Sequence, residues 1–174
     1  MHFSLARSIE ILERTPETLS TMLGALPDDW TTVNEGGDTW SAFDVVGHLI
    51  HCDEADWMTR AELILSDSDN KLFEPLDRFA QFNKSKGKTL TQLLARFREV
   101  RSENIQKIRD LDISSEQLSL TGKHPVFGEV TLSQLIAAWT VHDLDHVCQI
   151  TRVMAKQYRE EVGPWFEFLK VLKT

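Results

Sequence analysis

Two histidines sit one helical turn apart in the stretch WTVHDLDHVCQI, Trp139 to Ile150. Residues four apart on a helix carry Cβ atoms ~5–6 Å from each other. That is close enough for His142 and His146 to converge on one metal ion, ~2.0–2.1 Å from each ligating nitrogen. Stepping by three and four from Leu132 gives Leu135, Trp139, His142, His146, Gln149 and Val153, a core stripe that turns polar in its middle. A pair at this spacing arises by chance in many helices, and packed histidines are the plainer reading of it. A second stretch, FDVVGHLIHCDEADW, shifts that balance, because it sets Val45, His48, Cys52, Ala55 and Thr59 on a seam of the same spacing. Two inward stripes that each carry imidazole can supply three nitrogen ligands across a helical bundle, a usual place for metal sites. Three protein ligands leave a position for water or substrate, the arrangement of catalytic rather than structural zinc.

Other groups compete for these roles. His51 lies three residues from His48, but its helical neighbours Asp44, Gly47, Glu54 and Met58 suggest a more solvated edge, so His48 is the favoured ligand. Cys52 shares the His48 seam and is a weaker ligand candidate, since a cysteine there more often acts as a small buried hydrophobe. Metal-bound imidazoles pass their second N–H to a carboxylate or carbonyl. Asp44, four residues before His48, and Gln149, three after His146, are placed to accept it. Taken singly, Asp53, Glu54, Asp56, Asp143 and Asp145 read as solvated acidic helix faces, and Trp57 and Trp139 as core. Cys148, off the histidine stripe, reads as structural, His2 as an end residue and His124 as part of a turn.

Four segments with helical periodicity must position these groups. In the first, Leu5, Ile9, Leu12, Leu19, Leu23 and Leu26 keep the helical step across Pro16. Proline lacks the amide hydrogen and clashes with the preceding turn, and Thr15 is a good N-cap, so a break there and a fresh helix toward Leu26 are expected. The second helix starts at Ser41, with Asp44 at capping-box spacing, and is expected to run to about Leu65. Thr89 with Gln92 opens the third, and Thr131 with Gln134 opens the fourth, which continues to about Lys156. Between the second and third, SDSDNKLFEPLDRFAQFNKSKGK is long for a connection and carries Phe73, Phe79 and Phe82. Such segments are more often functional or mobile than inert. The stretch GKHPVFGEV predicts a turn or short hairpin, and after Gly163 and Pro164 the tail offers Trp165, Phe166 and Leu169 for packing. The expected architecture is all-α: a four-helix bundle over residues 1–174 as one domain, with a long loop between helices 2 and 3.

With 174 residues and 41% hydrophobic content the chain can bury a sizeable core. A formal net charge of -8 repels a phosphate backbone or an anionic membrane surface, so neither nucleic acid nor membrane is an expected partner. Two cysteines, neither in a C-x-x-C pair, offer no disulfide framework and no thiolate zinc cluster. The first residues, MHFSLARSIEILERT, lack the apolar run of a signal peptide. A cytoplasmic location is the expectation.

The segments WSAFDVVGHLIHCDE, LLARFREVR, GEVTLSQLIAAWTVHDLDHVCQI and VGPWFEFL together resemble the DinB-like, or YfiT-like, superfamily of metal-dependent hydrolases. The likeness covers nearly the whole chain. It implies a four-helix bundle in which a histidine early in the second helix and an H-x-x-x-H pair in the fourth bind a divalent metal, usually zinc or nickel. By position these are His48, His142 and His146. The resemblance also implies a small-molecule substrate and a homodimer. Its members include thiol S-transferases that use a low-molecular-weight thiol such as bacillithiol or mycothiol, a thiol-dependent isomerase, and many chains with no assigned reaction. The implied function is a metalloenzyme activating water or such a thiol. The alternative is a non-catalytic, stress-related metal-binding or dimeric interaction protein.

Overall fold

Three long helices begin where their caps are written. The computed structural model describes residues 2–173, and in it Ser41, Thr89 and Thr131 each accept a hydrogen bond from the backbone N–H three residues on. The side chains of Asp44, Gln92 and Gln134 reach back to the capping residue's own N–H at 2.9, 2.8 and 2.9 Å. In chain order the helices are α1 (Leu5–Leu23), a short α2 (Asp28–Thr31), α3 (Ala42–Ala55), α4 (Trp57–Leu65), α5 (Ala80–Ser85), α6 (Leu90–Asp110) and α7 (Leu132–Lys156). The bundle is α1, the α3–α4 pair, α6 and α7, with α3 and α1 each packed against both α6 and α7. Strands β1 (Thr121–His124) and β2 (Gly128–Thr131) form the expected antiparallel hairpin, pairing Thr121 with Thr131 and His124 with Gly128, directly ahead of α7.

Two helices depart from expectation. Pro16 does not break α1, which runs unbroken from Leu5 to Leu23 with the proline inside it. The carbonyl that Pro16 cannot serve is that of Leu12, and the Arg101 guanidinium donates to it at 2.9 Å. A donor on α6 thus supplies the hydrogen bond that proline removes, offsetting part of its cost. The second predicted helix is two, because α3 ends at Ala55 and α4 begins at Trp57. Asp56 between them has φ -122 and ψ -72, although the Asp56 N–H still reaches the Cys52 carbonyl at 3.0 Å. No proline or glycine marks that kink.

The long connection after α4 is tied down at both ends. Phe73 is buried, its N–H donates to the Lys123 carbonyl of β1, and its ring lies so close to Gly122 that a side chain there would collide with it. Further on, α5 packs on α3 at Gly47, where an added Cβ would meet the Ser85 hydroxyl at 2.5 Å. The tail is less buried than its composition predicts. Trp165 and Phe168 are exposed, and Phe166 takes the Arg159 guanidinium and the Lys173 ammonium over its ring.

The apolar core comes in two parts. One gathers Leu12, Trp57, Ile105, Ile108, Leu132, Leu135 and Trp139, and the other Leu19, Val45, Leu49, Leu93, Phe97 and Ile150. Along α1, α3, α6 and α7 the buried face turns polar between the two: Thr15 on α1, His48 and Asp53 on α3, Arg101 and Asn104 on α6, Asp143 and His146 on α7. Buried polar groups are costly unless partnered, so this layer is where chemistry or specificity must reside.

Candidate metal centre

The helical seams place three imidazoles together. His48 from α3 and His142 and His146 from α7 each turn one ring nitrogen inward, and the three nitrogens all lie within 4.8 Å of one another. His142 Nε2 stands 3.2 Å from His48 Nε2 and 3.1 Å from His146 Nε2. His48 and His146 are buried and His142 is half-buried. The aromatic walls are tight: Trp57 meets His142 edge-on at 5.1 Å, Trp40 lies 4.8 Å from His48, and Trp40 stacks near parallel to His146 at 6.4 Å.

The protonation of the rings follows from their partners. His146 Nδ1 is 2.7 Å from the Gln149 side-chain oxygen, which can only accept, so Nδ1 carries the proton and Nε2 presents a lone pair to the cluster. Burial lowers the pKa of all three. It takes His48 to about 3, helped by the His146 charge, and His142 to about 2, helped by His146 and His48. Neutral imidazole is the form that binds metal. Three such rings with nitrogens facing at hydrogen-bond distance have too few protons among them to satisfy every contact, and His142 Nδ1, buried, has no partner among the described residues. A cation at the centre would use these lone pairs, so the donor set fits a divalent ion with N ligands.

The other sequence candidates divide. Gln149 makes the expected contact with His146. Asp44 does not reach a ring: its carboxylate accepts from the Ser41 N–H and hydroxyl and closes the α3 cap. Cys52 is buried, with Sγ 3.4 Å from His48 Nε2, and burial followed by Asp56, Asp53 and Asp143 pushes its thiol pKa up. His51, expected on a solvated edge, is buried instead and lies outside the cluster. The Lys84 ammonium donates to its Nδ1 at 3.1 Å, leaving Nε2 to donate to the Asp77 carbonyl at 2.9 Å. Its cover is the long connection, whose path no local pattern reveals. Trp57 and Trp139 are core, as expected, and stack on each other at 5.9 Å. Cys148 is exposed rather than built into the core, and His124 caps the hairpin turn through Nδ1.

Sequence reasoning misread Asp53 and Asp143, which are buried rather than solvated, and passed over Arg101 entirely. Arg101 donates to Asp53 at 2.7 and 3.1 Å, to Asp143 at 2.5 and 3.0 Å and to the Leu12 carbonyl, which accounts for all five guanidinium hydrogens. Burial alone would lower its pKa, but Asp53 and Asp143 outweigh that and raise it. A signal was there: Leu94, Phe97, Arg101, Asn104 and Ile108 follow the helical step, so the α6 stripe turns polar as the histidine stripe does. Asp56 is buried too, paired with Arg60 at 2.6 Å. Trp40 and the groove beside it were also missed. That groove, of about 440 Å³, opens next to His146 and is lined by Trp40, Arg78, Phe79, Asp145, Gln149 and Arg152 among others.

Comparison with known proteins places this fold in a wider set. YfiT from Bacillus subtilis, described as a probable metal-dependent hydrolase with an unusual four-helix bundle topology, superposes with a TM-score of 0.72 at 18% identity, over 91% of this chain and 87% of that one. TT2238, described as a four-helix bundle protein, superposes with a TM-score of 0.53 at 18% identity, over 85% of this chain and 98% of that one. At these identities the likeness establishes the fold. No curated protein matches the sequence. No helix among the described residues is long and apolar enough to cross a membrane. The sequence pattern of the DinB superfamily does match, over residues 11–150, and the chain belongs to that superfamily.

Proposed function

We propose that this protein is a metal-dependent enzyme whose centre is held by His48, His142 and His146. The observation that carries the reading is the convergence of three neutral imidazoles on one point, two buried and one half-buried, with His146 fixed in its ligating tautomer by Gln149. A divalent ion held there, zinc or nickel as the superfamily resemblance implies, would lower the pKa of a water or thiol toward neutrality and so supply a nucleophile. The groove along Trp40 and Phe79 gives a small-molecule substrate access from the His146 side. His51 is not the proton acceptor in this reading, because both its ring nitrogens are engaged. The description of YfiT as a probable metal-dependent hydrolase supports water as the activated group. A low-molecular-weight thiol as the nucleophile, with transfer to an electrophile, is the finer version suggested by the superfamily.

The test starts with elemental analysis of protein purified without an affinity tag, followed by titration with zinc and nickel. One equivalent of metal is expected, and His142→Ala should weaken binding about a thousandfold or more, on the order of 4 kcal/mol. A protein that neither retains nor binds metal overturns the reading. Hydrolysis of model esters and conjugation of thiols to an electrophile, each with and without chelator, then separate water from thiol.

One observation bears on a closed, non-catalytic centre: Cys52 Sγ lies 3.4 Å from His48 Nε2 but outside the three-histidine cluster, so it would have to move in to become a fourth ligand. Cobalt substitution distinguishes the two, because a thiolate ligand gives an intense sulfur-to-metal charge-transfer band that Cys52→Ser removes. Under the catalytic reading no such band is expected.

A further inference from the structure

The groove beside the histidines has walls that metal binding leaves unused. Arg78, from the connection ahead of α5, lines it, and among the described residues no carboxylate pairs with its guanidinium. Arg152 in the same groove is different: Glu35 takes it at 2.8 and 3.1 Å and takes Lys156 at 3.2 Å. Of the two guanidinium groups that line the groove, Arg78 is therefore the one without a carboxylate partner. Its guanidinium carbon stands 5.9 Å from the centre of the Trp40 ring, the same ring that lies against His48 and His146. Its field reaches the cluster, where it opposes protonation of all three histidines.

The next residue adds an apolar wall. Phe79 is 70% exposed, stacks on Phe82 at 6.4 Å, and Phe82 in turn meets Trp40 edge-on at 6.2 Å. An aromatic ring left that open gains little from the fold, and exposed apolar surface beside a groove marks a binding region. A planar guanidinium next to it matches a carboxylate or phosphate fork. Asp38 and Asp145 also line the groove; their charge disfavours a dianion and so selects a carboxylate over a phosphate.

We propose that this groove binds an organic carboxylate with an apolar body. Arg78 holds the carboxylate, Phe79 and Trp40 flank the apolar part, and the reacting end points to the histidines. Only the last clause rests on the metalloenzyme reading.

The test uses the full chain stripped of metal at mildly alkaline pH, so that no ion is present for a carboxylate to ligate. 4-Phenylbutyrate and its neutral counterpart 4-phenylbutanol are titrated while the Trp40 indole and Phe79 amide signals are followed by NMR. The carboxylate should bind about tenfold tighter. Arg78→Gln should erase that preference, Arg78→Lys should keep part of it, and Phe79→Ala should weaken both probes alike. Equal binding of the two probes by the native protein, a preference that survives Arg78→Gln, or no binding of either probe up to its solubility overturns the proposal. Metal affinity of Arg78→Gln is measured separately and should be unchanged or higher. A protein that prefers the carboxylate yet binds no metal keeps the groove assignment and sinks the metalloenzyme reading alone.

Discussion

Arg101 and the three histidines occupy neighbouring parts of one polar layer, yet they treat their hydrogen-bonding capacity in opposite ways. Around Arg101 every guanidinium hydrogen has an acceptor, and Asn104 adds a bond from its side chain to the Asp53 carbonyl at 2.8 Å. Around the histidines, His142 Nε2 stands between two other ring nitrogens and can complete a hydrogen bond with only one of them, and His142 Nδ1 has no partner among the described residues. The first arrangement is complete within the chain. The second is complete only with something added. A satisfied buried network holds elements in place, whereas an unsatisfied one costs stability and persists where a ligand repays it.

The comparison breaks most sharply at Arg101. Arg101→Ala leaves Asp53 and Asp143 buried without their cation and should destabilise the protein by about 3–5 kcal/mol in denaturant melts. Metal affinity of the folded fraction should change less than tenfold, since none of the three ligands is removed. If the variant keeps its stability, the Arg101 network does not hold these helices in place.

Acid separates the two regions next. Folded His48 and His142 titrate near 3 and 2, while in the unfolded chain histidine titrates near 6.5. As pH falls below ~6.5 the unfolded chain takes up protons that the folded chain refuses. Metal-free protein is therefore expected to hold this contribution above ~6.5 and lose it toward pH 3. The slope is up to about 1.4 kcal/mol per pH unit for each ring, or about 2.7 for both. A pH-independent stability between 6.5 and 4 would show that the rings are solvated. A smaller effect belongs to Gln149: Gln149→Leu frees the His146 ring and should weaken metal binding about 10- to 100-fold while barely moving the melting temperature.

What the sequence made legible is what neighbours in the chain decide. The caps at Ser41, Thr89 and Thr131 involve partners three residues away, and His142 and His146 share a face because of a spacing of four. His48 was reachable because it interrupts an apolar seam of its own. The failures are all long-range. Asp53 and Asp143 look like surface acids until Arg101 arrives from α6, 48 and 42 residues away in sequence. His51 looks solvated until Asp77 and Lys84 come down over it. Spacing offers Asp44 both to the Ser41 cap and to the His48 ring, and the nearer Ser41 takes the carboxylate.

Pro16 tests the same distinction at its faintest. In an exposed helix interior a proline costs roughly 3 kcal/mol relative to alanine, so Pro16→Ala would ordinarily stabilise by that order. Here part of that cost is already met, because the Leu12 carbonyl has Arg101 as a donor. Alanine would bring an N–H that competes with the guanidinium for the same carbonyl, and an Arg101 hydrogen left unpaired in this layer is itself costly. The two effects oppose each other, and Pro16→Ala is expected to change stability by less than about 1 kcal/mol. In an Arg101→Met background the competition disappears, and the same substitution should then recover most of the usual helical gain. A double-mutant cycle on denaturant midpoints reads the difference. Additive effects would mean that Arg101 does not stand in for the missing amide, and that α1 stays unbroken through Pro16 for some reason other than the bond from Arg101.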